Sequence, residues 1–181
     1  MTKSSGIVDD LQKIIPSYIS NDDVIFFCIG TDRSTGDCIA PMIGSKLKEL
    51  GYSNVMGTLE NPIHAKNLEH VIKTIPKNKL VIAIDACLGR DDNVGVVHVS
   101  EGNILAGRGV GRNLPPVGDY KITPIINTYN ALDSLNYLSL QSTRLSFVMR
   151  LANDIVTGIT NRFPLHINNN ALNQLVLSYI G

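Results

Sequence analysis

Short apolar runs alternate with amphipathic stretches along this chain. Ile7, Val8, Leu11, Ile14, Ile15 and Tyr18 recur at intervals of three and four, which predicts a short amphipathic helix over residues 7–18 that covers an edge of the core. Val24–Ile29 (VIFFCI) is continuously apolar and ends at Gly30, the pattern of a strand buried on both faces of a parallel sheet. The polar stretch TDRSTGD separates it from a helix over about residues 38–50, with Pro41 in its first turn and Gly51 beyond its end. The cycle repeats with a strand at 54–59, a helix opened by Pro62 and closed by Pro76, and a second fully apolar strand at 80–84. Strands at 94–99 and 120–126 follow, separated by a Gly- and Pro-rich loop over about 101–118. Helical periodicity then runs from 129 to 162 as two helices broken around 139–142, and a last short helix is expected over 168–180. The alternation predicts a single α/β domain over residues 1–181, with residues 1–6 flexible. Its architecture is a three-layer sandwich with a mostly parallel central sheet and helices on both faces.

Composition narrows the partners. A chain of 181 residues that is 44% hydrophobic can bury one substantial core. Its 16 basic residues balance 16 acidic ones, so no net field draws it to nucleic acid, and 6% aromatics without Trp offer no stacking platform for single strands. The longest apolar run is far shorter than the roughly 20 residues of a membrane span, and the N-terminal segment lacks the apolar stretch of a secretory signal. A cytoplasmic protein with no membrane partner is expected. Cys28, Cys38 and Cys87 form no CxxC, which argues for reduced thiols over a disulfide framework or zinc cluster.

Ligands of open α/β sheets bind beyond the carboxyl ends of the strands, and here those positions are acidic. Asp32 and Asp37 follow the first apolar strand and Asp85 ends the second. If the two strands are neighbours, Asp37 and Asp85 face each other across one crevice. Shared burial would leave one protonated as acid and one ionised as base, or both ionised around a metal. The same residues have plainer uses: Asp37 suits the N-cap of the following helix, Asp85 can take loop amides, and Asp32 suits a turn. Glu60 and His64 follow the strand at 54–59 and so belong to the same rim, His64 as a proton carrier, a metal ligand or a surface residue. His98 lies in an apolar strand and reads as core or surface. Cys38 and Cys87 flank the aspartates, yet the sequence sets no His beside them, and they read as small buried residues rather than nucleophiles. In the long loop, Gly107, Gly109 and Gly111 interleave with Arg108 and Arg112, a backbone suited to substrate binding or a lid. Leu114, Pro115 and Pro116 follow where a dinucleotide fingerprint would open a helix.

Taken in order, CIGTDRSTGDCIAP, VIAIDACLGR and GRGVGRNLPPVGD resemble the YyaC-type sporulation proteins, relatives of the bacterial spore germination protease, over about residues 24–162. The wider group is similar to the hydrogenase-maturation endopeptidases, which share a phosphorylase/hydrolase-like α/β sandwich. The resemblance implies that Asp37, ahead of Ile39, Ala40 and Pro41, and Asp85, after VIAI, are the two functional aspartates. The maturation endopeptidases carry metal-binding carboxylates at the equivalent points. It implies an aspartate-dependent peptidase acting on a protein or peptide of the forespore or mother cell. The readings of the rim and the loop set Asp32, Glu60, His64, Gly109, Gly111 and Arg112 around its substrate, with Arg112 orienting a carboxylate or steadying developing charge. The cofactor stays open. The alternatives are a metal-dependent endopeptidase and a non-catalytic peptide- or anion-binding module on the same fold. The chain is far shorter than the germination protease and shows no propeptide, so zymogen control and a preference for small spore DNA-binding proteins do not transfer. The amphipathic stretch 132–159 could serve homo-oligomer formation or simply pack on the sheet.

Overall fold

The two fully apolar runs pair with each other. In the computed structural model, which describes residues 4–106 and 114–165, β1 (Val24–Ile29) lies parallel to β3 (Leu80–Asp85) in unbroken register from Val24↔Leu80 to Ile29↔Asp85. β2 (Val55–Met56) extends the sheet beyond β1, and β6 (Tyr120–Thr128) lies parallel to β3 on its other side. β4 (Cys87–Gly89) continues the line of β3 along β6: Ile84 pairs with Ile122 and Cys87 with Ile125, the same offset on either side of a break at Asp85 and Ala86. β5 (Val97–Glu101) closes the far edge, antiparallel to β6. One antiparallel strand on an otherwise parallel sheet matches the expected mostly parallel architecture.

Alternation along the strands builds a layer on each face. Phe26, Cys28, Ile82 and Ile84 pack under α1 (Ser4–Ile14), α2 (Ile39–Glu49) and α5 (Leu145–Arg162) through Leu11, Ile43 and Ile155. Phe27, Ile29, Val81 and Ala83 turn the other way, against Ile63 and Leu68 with Val71 and Ile72 around α3 (Leu68–Ile72). α4 (Asp133–Ser142) stands beside the carboxyl end of β6. The larger layer is tied at its base by Arg162. Its guanidinium donates to the carbonyls of Ile15, Pro16 and Ile19, which leave the end of α1, and it lies over the Phe163 ring.

The structure departs from the sequence pattern at several places, each with a local cause. The helix expected from Pro62 is one short turn starting at Leu68, because the Asn67 side chain accepts from the His64 amide and donates to the Pro62 carbonyl, taking backbone bonds a helix would use. The strand expected at 94–99 begins at Val97, after a 3-10 turn at Asp91–Asn93 and Gly95 at φ +94°. The break between the last two helices falls at Thr143 and Arg144, both extended, and α1 already includes Ser4–Gly6. His98 is exposed on β5. The helix expected at 168–180 lies outside the described residues. All three cysteines are free, and among the described residues no helix is long and apolar enough to cross a membrane.

Helix α2 sits unusually close to the sheet edge. A Cβ at Gly44 would stand 2.0 Å from the Gly57 carbonyl oxygen, and a Cβ at Gly57 would stand 2.0 Å from that of Cys28. Both obstacles are backbone, so no rotamer change relieves them. Gly44→Ala is expected to lower unfolding stability by about 2 kcal/mol or more. Gly6→Ala, in α1 with nothing within 4 Å, is expected to leave it unchanged or raise it by about 0.5–1 kcal/mol. Denaturant titration of the two variants checks the contrast.

Candidate active site

The site is assembled where β1 and β3 end side by side. Gly30, the first residue past β1, has φ +154°, and a Cβ there would lie 2.1 Å from the Asp37 carbonyl oxygen and 2.9 Å from Pro41 Cδ. Glycine therefore lets the loop 31–38 fold back over the strand end. The loop is pinned along its length: Arg33 N–H donates to Thr31 Oγ1 (3.3 Å), Cys38 N–H to the Ser34 carbonyl (2.9 Å) and Gly36 N–H to the Leu140 carbonyl of α4 (2.8 Å). Asp37 is not spent on capping, because Cys38 occupies the cap position of α2 and no side-chain cap bond forms there. Asp85 closes β3 opposite Ile29, at the break in the ladder to β6.

Asp37 and Asp85 line one cavity of about 330 Å³. Its other polar walls are Arg33 and Ser34 from the β1 loop and His64 and Lys66 from the turn before α3, while Tyr137 and Leu140 of α4 close an apolar side. Burial pushes the Asp37 carboxyl up to about 6 against an amide bond from Thr31 and the charge of His64, which both favour its ionised form. Asp85 is held well above the ordinary carboxylate range, first by burial and then by repulsion from Asp37, with the Ala86 amide opposing. Both carboxyls are therefore shifted toward their protonated forms, Asp85 with the added repulsion of Asp37, and such a pair ionises in two separate steps, as an acid–base pair requires. Lys66 N–H donates to His64 Nδ1 at 3.3 Å, so in the neutral ring Nε2 carries the proton and is the donor. The thiols are poor nucleophiles. Burial raises Cys87 to about 11 with help from Asp85, Cys28 to about 12, and Cys38 also upward, where its Sγ donates to the Thr35 carbonyl.

The other sequence candidates fall elsewhere. Asp32 is exposed, beside Thr31 Oγ1, and does not line the cavity. Glu60 is exposed on a neighbouring cavity of about 450 Å³, which shares His64 with the first. Gly109, Gly111 and Arg112 lie outside the described residues. Conversely, sequence reading passed over Arg33, Ser34 and Lys66. The first two sit in the same polar TDRSTGD stretch that identified Asp37, so the loop itself was the available signal. Among the described residues no group of three His, Cys, Asp or Glu side chains is placed to hold a metal ion. Asp37, Asp85 and His64 share the cavity but are not placed as one ligand set, which does not fit the metal that the maturation-endopeptidase resemblance implies, and no step below is routed through one.

Burying this pair costs stability in a direction that can be measured. A carboxyl whose folded pKa is raised binds more protons folded than unfolded, so stability falls as pH rises from about 4 through 6 for Asp37, and keeps falling at higher pH for Asp85. Asp85→Asn, a neutral isostere, is expected to unfold at a higher temperature than the parent at neutral pH, with the gap widening as pH rises. A gap that closes with rising pH would contradict the protonated Asp85.

Comparison with known proteins agrees with the architecture. A solved structure, the [NiFe] hydrogenase maturation protease HycI from Thermococcus kodakarensis KOD1, superposes with a TM-score of 0.54 over 88% of this chain and 99% of that one, at 14% identity. The two share the fold. In sequence, the chain is 43% identical over 158 residues to the uncharacterized protein YyaC of Bacillus subtilis (strain 168), covering 83% of this chain and 76% of that protein. The model of a protein family of unknown function, DUF1256, matches residues 1–158. By both measures of sequence, the chain is a member of the DUF1256 family.

Proposed function

We propose that this chain is an aspartate-dependent peptidase that hydrolyses a peptide bond in a spore or forespore protein. The observation that carries the proposal is the pair Asp37 and Asp85 lining one cavity, both carboxyls raised by burial and Asp85 further by repulsion from Asp37. A fold shared with a maturation protease supports it, and the likeness to the germination protease motifs supplies the sporulation setting.

The chemistry uses the two acids in turn. The Asp37 carboxylate takes a proton from water as the water oxygen bonds to the peptide carbonyl carbon. The carbonyl π pair moves onto its oxygen, which receives the Asp85 proton. In the second half the C–N bond breaks, nitrogen takes the proton held by Asp37, and one hydroxyl of the intermediate returns its proton to Asp85. A carboxylic acid and an amine leave, and both acids regain their starting states. His64 favours the ionised form of Asp37, and the apolar wall at Tyr137 and Leu140 limits water around the pair.

A second reading, a non-catalytic peptide-binding module, is favoured by the exposed apolar side chains Leu132, Leu135, Tyr137 and Leu138 on and before α4, beside the cavity. Incubation with an extract of sporulating cells, followed by mass spectrometry of new peptide termini, separates the two: specific cleavage supports the peptidase, stoichiometric capture of uncut protein supports the module. For the peptidase, Asp37→Asn and Asp85→Asn are each expected to lower kcat/KM by about 100-fold or more while unfolding stays cooperative. In the parent, kcat/KM should rise with pH until Asp37 is ionised, near pH 6, and fall again as Asp85 loses its proton. Turnover retained in either variant would refute the assignment.

A further inference from the structure

Among the described residues, two buried side-chain polar atoms lack a hydrogen-bond partner, Asn54 Oδ1 and Ser34 Oγ. The first has a structural explanation. Asn54 Nδ2 donates to the Asn21 carbonyl (2.8 Å), to Asn21 Oδ1 (3.1 Å) and to the Val24 carbonyl (2.9 Å), so the amide is fixed by its nitrogen and its oxygen follows. Ser34 has no such anchor. Its side chain makes no bond, its residue is 7% exposed, and it lines the cavity that holds Asp37 and Asp85. Its backbone is fixed all the same, since its carbonyl accepts from Cys38 and Gly36 beyond it is tied to α4. A serine held rigidly against a cavity with an uncommitted hydroxyl runs against the general rule that buried polar groups are paired. The partner this geometry lacks is supplied by what fills the cavity.

The chemistry of the loop selects the role. An attacking serine needs a base within hydrogen-bond reach, and Ser34 Oγ touches neither carboxylate nor imidazole. A donor needs only a neutral hydroxyl with a free proton. Because Oγ holds no protein bond, turning it about Cα–Cβ toward the cavity breaks none. We propose that Ser34 is an oxyanion donor in the cavity it shares with Asp37 and Asp85, its hydroxyl bonding the substrate carbonyl oxygen as the tetrahedral intermediate forms. The inference rests on the peptidase reading above. A carbonyl oxygen that becomes tetrahedral gains negative charge and accepts more than one donor, and a donor placed for that state acts on kcat rather than on KM.

The test uses the full chain and a quenched-fluorescence peptide spanning the bond that the parent protein cuts in the sporulating-cell extract. Ser34→Ala is expected to lower kcat by about 10²–10³ with KM little changed, and Ser34→Cys, a weaker donor, to fall between alanine and serine. The ligand-free Ser34→Ala protein is expected to unfold at the parent temperature or above, because no native bond is lost. A lowered unfolding temperature, a rise in KM alone, or an unchanged kcat overturns the role of Ser34. With the parent active and Ser34→Ala equally active, only Ser34 is struck out. With a parent that cleaves nothing, both it and the peptidase fall.

Discussion

Parallel pairing of β1 with β3 puts Ile29 beside Asp85, and that single register decides where the acids meet. A shift of one residue would turn every side chain of one strand to the opposite face. If β1 slipped, Phe26 and Cys28 would leave the layer of α1, α2 and α5; if β3 slipped, Ile82 and Ile84 would leave it and Asp85 would enter it. The register is secured because each face of both strands is apolar and already matched to a layer of its own. The loop 31–38 then has one way to go. Gly30 is compact enough to accept the Asp37 backbone against it, and α2 must start at once, since Cys38 and Ile39 are drawn into the core. The core thus delivers two carboxyls, 48 positions apart in the chain, to one spot by satisfying only its own packing.

The same placement explains why the acids are unusual. Neither carries an ion pair among the described residues, and the raised affinities of both for protons arise first from burial. A fold selected only for stability would put apolar or amide side chains here, as burying an unpaired acid is costly. Asp23 makes the contrast plain: exposed to solvent and bonded by the Ser20 hydroxyl and amide, it is shifted downward in the ordinary way of a stabilising carboxylate. Destabilised acids facing a cavity, with a stabilised one on the surface, are what single out this cavity as the candidate site.

How much of this was legible in the chain follows from the range of each cause. The central strands could be read from their uninterrupted apolar runs, and with them the rim and the pair Asp37 and Asp85, because strand ends and ligand sites coincide in open sheets. What was hidden depends on contacts across the fold. Asn67 cancels the helix expected after Pro62 through two side-chain bonds, and the three residues of β4 are too few to show a period. Asp32 shares the polar loop with Asp37, and its plainer reading as a turn residue agrees with its exposure, whereas Asp37 lines the cavity. For Ser34 the sequence offered only its place in the same polar loop as Asp37: whether a serine is paired or orphaned is a fact of three-dimensional packing.

Helix α4 shows how the wall of the cavity is held without a hydrophobic face. Most of its apolar side chains point to solvent, and Asn136 is its buried residue, exchanging bonds with the Asn130 amide (2.7 Å) and carbonyl (2.9 Å). Asn127 at the end of β6 donates to the Ser139 carbonyl and to Thr143 Oγ1, and the Leu140 carbonyl receives Gly36 N–H from the loop 31–38. Hydrogen bonds are directional where apolar contacts are not, so this network fixes the angle of α4 as well as its contact. Through Gly36 it also couples the helix that carries Tyr137 and Leu140 to the loop that carries Ser34 and Asp37. The apolar wall and the loop that carries the acid are therefore positioned by one another, although they come from distant parts of the sequence.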